Sequence, residues 1–132
     1  MGMLSKKLRS LEGGRVAYWC QGCGHLHQIN VGDGPGPRWG YNNNPEAPTF
    51  TPSVRVTWTE PANLHNPEAM QRDLEDVRAR RADGDENARV PLANKVCHTF
   101  ITDGRVQFLG DCTHQYAGQT LDLPDLPGDW TE

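Results

Sequence analysis

Val96-Cys97-His98-Thr99-Phe100-Ile101-Thr102-Asp103-Gly104-Arg105-Val106-Gln107-Phe108-Leu109-Gly110 is the stretch on which the fold turns. Two runs of mostly β-branched and aromatic residues flank Asp103-Gly104, a dipeptide that accepts the positive φ angles of a two-residue type I′ turn. The spacing therefore predicts a hairpin of Val96–Thr102 and Arg105–Gly110, and the turn sets its register. Thr102 faces Arg105, His98 faces Leu109, Cys97 faces Gly110, and Cys112 falls further on, opposite Lys95. Residues as distant in sequence as Cys97 and His114 thus meet at the open end of one hairpin, with Cys97 and Cys112 on one face and His98 on the other.

Working outward, Arg15–Cys20 reads as a strand, Gln21-Gly22-Cys23-Gly24 as a turn, and His27–Val31 as the return strand. A Cys-x-x-Cys at such a tip is a zinc knuckle, its glycines letting the backbone turn both thiolates toward one point. Gly32–Pro37 and Asn42–Pro45 are loops, Pro48–Pro52 is extended or at a sheet edge, and Val54–Trp58 alternates as a strand with one solvated face. Asn66 as N-cap, Pro67 at the first helical position and an apolar stripe of Met70, Leu74 and Val77 predict one helix over about 67–82, with Gly84 as its stop. Leu121 and Leu123 belong to a last short strand. The fold class is mainly β: a small zinc-stapled domain built of hairpins, with one inserted surface helix. Its expected organisation is a flexible basic leader over 1–14, one β domain over 15–123 with a helical insertion over about 60–94, and a loose acidic tail over 124–132.

Composition explains why a staple is expected. Only 36% of the 132 residues are hydrophobic, while Gly 14 and Pro 10 imply many turns and a small core. No apolar run near the N-terminus suits an export signal, and none downstream suits a membrane span, so the expected location is the bacterial cytosol. Disulfides rarely persist there, which turns four cysteines from bridges into metal ligands. Net charge is −4, with six basic and three acidic side chains before residue 60 and an acidic excess after it. An acidic chain is a poor general polyanion binder.

Zinc takes four donors, and Cys20, Cys23, Cys97 and Cys112 are the expected set, with His98 as an alternative to Cys97 where strand ends are irregular. His27 lies four residues after Cys23, and His114 two after Cys112. For both, a structural or supporting role is favoured over catalysis; if the chain is an enzyme, His27, Asp111 and His114 are the candidate acid–base groups.

These motifs resemble a family of small phage and prophage proteins. The residues that carry the resemblance are Trp19-Cys20-x-x-Cys23 with His27, Trp39-Gly40-Tyr41-Asn42, Pro48-Thr49-Phe50-Thr51-Pro52-Ser53, Cys97-His98-x-Phe100-Ile101-x-Asp103-Gly104-Arg105-Val106-x-Phe108-Leu109-Gly110-Asp111-Cys112-Thr113-His114 and Ala117-Gly118-Gln119-Thr120. The resemblance implies a phage origin, a zinc-type site and a variable segment between Thr59 and Asn94, and it names no activity. Shorter relatives keep a histidine at the place of His98, which supports that residue as a ligand.

Three functions compete. The favoured one is an accessory module, stapled by structural zinc, that binds a host or phage macromolecule, most simply a protein. The second is a zinc-dependent hydrolase whose pocket is lined by Trp39, Asn42 and Ser53. The third is a nucleic-acid-binding ribbon with a basic face of Lys6, Lys7, Arg9, Arg15, Arg38 and Arg55 beside Trp39 and Trp58, which the net charge disfavours. No membrane partner is expected.

Overall fold

The computed structural model describes residues 2–128. Nine strands, β1 (Gly2–Met3), β2 (Arg9–Leu11), β3 (Arg15–Cys20), β4 (His25–Asn30), β5 (Gly40–Tyr41), β6 (Phe50–Pro61), β7 (Leu92–Thr102), β8 (Arg105–Phe108) and β9 (Thr120–Asp122), accompany one helix, α1 (Pro67–Ala82). They form a four-stranded sheet ordered β1-β2-β3-β4 and a five-stranded sheet ordered β5-β6-β7-β8-β9. The mainly β class with one inserted helix is as the sequence predicts. Among the described residues no helix is long and apolar enough to cross a membrane.

The deciding hairpin forms in the expected register. Thr102 pairs with Arg105, and the ladder runs back to Thr99 opposite Phe108. Asp103 (φ 51°) and Gly104 (φ 77°) supply the two positive angles of the turn. Leu109 N–H then donates to His98 C=O at 2.9 Å, so the pairing reaches His98 as expected. Beyond it the chain leaves the strand: Cys112 N–H turns back to Leu109 C=O (3.2 Å), and Thr113, not Asp111, stands opposite Val96, its N–H meeting Val96 C=O (3.0 Å). Cys112 therefore sits in a tight turn and not opposite Lys95.

The first sheet follows the knuckle. Cys20 pairs with His25, and β3 and β4 stay in register to Arg15 opposite Asn30. Residues read from sequence as a leader carry β1 and β2, and Leu8 is fully buried. Ser5 Oγ organises this segment, accepting from Lys7 N–H (3.0 Å) and Leu8 N–H (3.1 Å) and donating to Pro45 C=O (2.6 Å). Residues 124–128 of the expected tail are tied back: Leu123 and Leu126 are buried, Leu126 N–H donates to Lys6 C=O (2.8 Å), and Lys7 reaches Asp125 and the Leu123 carbonyl. The rest of that tail, 129–132, lies outside the described residues.

Two compact units result, Met1–Val56 with Val96–Glu132, and Thr57–Lys95. In the first, Tyr18 stacks on Phe50 (6.1 Å), and Val54, Ile101, Val106 and Phe108 are buried as well. In the second, the helix begins as expected, with Asn66 Oδ1 accepting Ala69 N–H at 3.2 Å and Pro67 at the first position. Its buried residues are Ala69 and Val77, whereas Leu74, placed in the apolar stripe by its spacing, is exposed.

Candidate functional site

The end of the hairpin assembles two adjoining constellations. In the first, His98 uses both ring nitrogens. Its Nδ1 lies 3.0 Å from Asp111 Oδ2 and its Nε2 lies 2.9 Å from Ser53 Oγ. With Nδ1–H donating to the carboxylate, Nε2 is left to accept the serine O–H. The neighbouring strand β6 carries Ser53, β7 carries His98, and the turn after β8 carries Asp111. The backbone at the serine is fixed from the side, because the Trp39 indole N–H donates to Ser53 C=O at 3.2 Å. Trp39 is in turn placed by its own N–H to Asn30 C=O (2.8 Å). The site is open: the His98 side chain keeps 22% of its exposure and that of Asp111 keeps 50%.

The second constellation is carried by neighbouring positions of the same segments, Cys97 beside His98 and Cys112 beside Asp111. Cys20, Cys23, His27 and Cys97 place four potential ligand atoms within 4.8 Å of one another, and Cys97, Cys112 and His114 form a second such group that shares Cys97. All four cysteines are free thiols. Cys20 Sγ and Cys97 Sγ stand 3.7 Å apart, beyond a disulfide and close to the ~3.8 Å edge of a tetrahedron with ~2.3 Å zinc–sulfur bonds. His27 Nε2 and His114 Nε2 are buried with no hydrogen-bond partner, a costly condition for a nitrogen that nothing engages. A Cβ built on Gly22 would lie 2.3 Å from His114 Nε2, so only glycine in the knuckle leaves room for that ring.

The electrostatics of the cluster favour a cation. The Cys20 thiol is held well below its usual range by hydrogen bonds from Cys23 and then Cys97. Its neighbours move the other way: Cys23 is pushed up to about 12, first by donating to Cys20, and Cys97 is pushed up by the same bonds to Cys20 and Cys23. One thiolate thus forms easily and the next ones only against its charge. Burial lowers His114, keeping its imidazole neutral and able to offer a lone pair. Sulfur and imidazole donors in this number are those zinc prefers.

The expected site residues divide between these constellations. Cys20, Cys23 and Cys97 come together with His27, and Cys112 joins Cys97 beside His114. His98 is in neither group and spans Ser53 and Asp111. Of the proposed pocket residues, Trp39 holds the Ser53 backbone, while Asn42 builds its own loop, donating to Ala47 C=O (3.0 Å) and accepting Asn44 N–H (3.1 Å). A cavity of about 500 Å³ on the Trp39 side is lined by Leu11, Val16, Val31 and Tyr41 among others, and Ser53 is not part of its wall.

A hydroxyl, an imidazole and a carboxylate in this sequence of contacts define the arrangement of serine hydrolases, a class recognised by geometry and not by fold or chain order. The chain belongs to the family described as bacterial ubiquitination-like system serine protease (BubE), whose model matches residues 3–109. Ser53 and His98 lie within that span and Asp111 two residues past it. No curated protein and no solved structure shows a significant match.

Proposed function

We propose that this chain is a serine peptidase acting in a bacterial ubiquitination-like system, with Ser53 as nucleophile, His98 as general base and Asp111 as the group that orients it. The observation that carries the reading is the pair of contacts made by one imidazole, 2.9 Å to Ser53 Oγ and 3.0 Å to Asp111 Oδ2. As Ser53 Oγ bonds to the acyl carbon of the substrate, His98 Nε2 takes its proton, and Asp111 stabilises the imidazolium. His98 then gives that proton to the departing amine, the acyl–nitrogen bond breaks, and water releases the acyl group from Ser53 by the same proton route in reverse. The family's description points to a protein partner, a small modifier or its conjugate.

Zinc has a structural place in this reading. Cys20, Cys23 and Cys97 would hold it, completed by Cys112, which adjoins Cys97, with His27 and His114 beside the cluster. Four sulfurs leave no position for an activated water, so the hydrolytic chemistry belongs to Ser53 and not to the metal. From the accessory-module reading we keep the zinc-stapled domain and a protein partner as parts of this proposal. A net charge of −4 gives nucleic acid no general foothold.

The test is covalent labelling with a fluorophosphonate probe, followed by peptide mapping. Ser53 is the expected adduct site; Ser53→Ala abolishes labelling and leaves the melting temperature close to that of the parent protein. Labelling that persists at another residue in Ser53→Ala rules the assignment out.

A further inference from the structure

Two of the three triad residues are chain neighbours of cluster thiols: Cys97 precedes His98, and Cys112 follows Asp111. The geometry makes more of this than adjacency. His98 N–H donates to Cys112 Sγ at 3.2 Å, and the same sulfur lies 3.3 Å from His98 C=O. On either side of Cys97 the turn is laced to β7. Val96 N–H donates to Thr113 Oγ1 (3.0 Å), Thr113 N–H donates to Val96 C=O (3.0 Å), and Leu109 N–H donates to His98 C=O (2.9 Å). The backbone of the general base is therefore clipped by one sulfur, and the carboxylate that orients its ring is carried on the residue before that sulfur.

We propose that Cys112 is a positioning residue of the triad, and that metal bound at the thiol cluster acts through it to set the Ser53–His98–Asp111 geometry. This rests on the serine peptidase reading above. A cation shared by Cys97 and Cys112 fixes the ends of two short segments, Cys97-His98 and Asp111-Cys112, at a separation set by its bonds. A metal-bound thiolate is also a full acceptor for the His98 N–H, and such donors to metal-bound sulfur orient the segments around a site. Besides the backbone bonds of the turn and the contact with His98 Nδ1, the adjacent sulfur is what holds Asp111, whose side chain is half exposed. Misplacement of a catalytic group by about 1 Å costs on the order of 100-fold in rate. The metal in this scheme touches no substrate and still controls the rate.

The experiment compares the zinc-loaded parent protein with Cys112→Ser, Cys112→Ala and, as a control in the knuckle that is no metal ligand, Gln21→Ala, all at saturating zinc. For each, the inactivation rate constant kinact and the apparent affinity KI of a fluorophosphonate probe at Ser53 are measured separately. Near-UV circular dichroism follows the fold. The expected result is a fall in kinact of about tenfold or more for both Cys112 variants with KI unchanged, and less than about threefold for Gln21→Ala. Equal effects at Gln21 and Cys112 overturn the proposal, as does parental kinact in Cys112→Ala. Cadmium-113 resonance of the cadmium-loaded protein supplies a readout independent of reactivity. Cys112→Ser is expected to shift the signal by the loss of one thiolate; an unmoved signal means that an imidazole completes the shell, and the proposal fails. If the Cys112 variants do not fold, the parent protein loaded with cadmium, whose ion is larger than zinc, decides. A changed kinact with unchanged circular dichroism supports positioning by the metal, and an identical kinact refutes it. A parent protein unlabelled at Ser53 removes the peptidase reading itself, whereas Ser53 labelling indifferent to Cys112 removes only this inference.

Discussion

His98 shows how far a single residue can be read from a chain. Its place beside Cys97 at a hairpin end marks it as a ligand candidate, and alternation correctly sends it to the face opposite Cys97, which is buried while His98 is not. Its partners are less legible, because Ser53 and Asp111 lie 45 residues before and 13 residues after it. Asp111 is recognisable as an acid–base group, and Ser53 as a polar residue near Trp39, but only the pairing of β6 with β7 brings the serine to the imidazole. Asp111→Asn tests the assignment of roles. The amide stabilises the wrong tautomer of His98, so the hydrolytic rate falls by roughly 10³–10⁴ while thermal melting changes little. Stopped assays of Ser53 acylation, run alongside melting curves, measure both. At the other constellation, Gly22→Ala places a methyl group against the His114 ring. Zinc affinity is expected to drop at least tenfold, read by competition with a chromogenic chelator; unchanged affinity would show that His114 swings away freely.

At the scale of elements, turn chemistry was the most informative signal. Asp103-Gly104 gives the β7–β8 register down to His98, because two positive φ angles at consecutive positions admit few alternatives. The helix was equally plain from its cap and proline. Short pairings were not legible. Strands β1, β2 and β5 have two or three residues each, too few for a periodic pattern to emerge, and the burial of Leu8 depends on partners far along the chain. The same limit hid the turn at Gly110–Cys112, where a continuing strand was expected. The knuckle itself yields a measurable consequence. Cys20 ionises readily, but Cys23 and Cys97 are raised by their bonds to it and remain protonated at neutral pH. Zinc must displace those protons, so binding tightens as pH rises and weakens as pH falls, with about two or more protons released per ion near neutrality. Isothermal titration in buffers of different ionisation enthalpy counts them, and a release near zero would mean that the thiols are ionised before the metal arrives.

For the whole molecule, the division into two units keeps the candidate site residues together. All three triad residues and all six cluster donors fall in the unit of Met1–Val56 with Val96–Glu132, and the charged helix falls in the other. The segment around the helix, which the resemblance marks as variable, carries the exposed apolar residues Leu64, Leu74 and Leu92. The openness of the triad has a consequence for how the reaction responds to its medium. An enclosed triad develops its imidazolium–carboxylate pair out of reach of mobile ions, but here the His98 and Asp111 side chains are 22% and 50% exposed. In the proposed mechanism, dissolved salt therefore shields the very charge pair that forms as Ser53 is acylated. The acylation rate is expected to decline severalfold as sodium chloride is raised from ~10 mM to ~1 M, over which the Debye length shrinks from about 30 Å to 3 Å. Asp111→Asn, with no carboxylate to shield, flattens that decline, and a parent rate indifferent to salt would place the pair in a drier setting than its surface suggests. A peptidase of the kind proposed would work on a folded protein from an open surface, at a speed that its surroundings help to set.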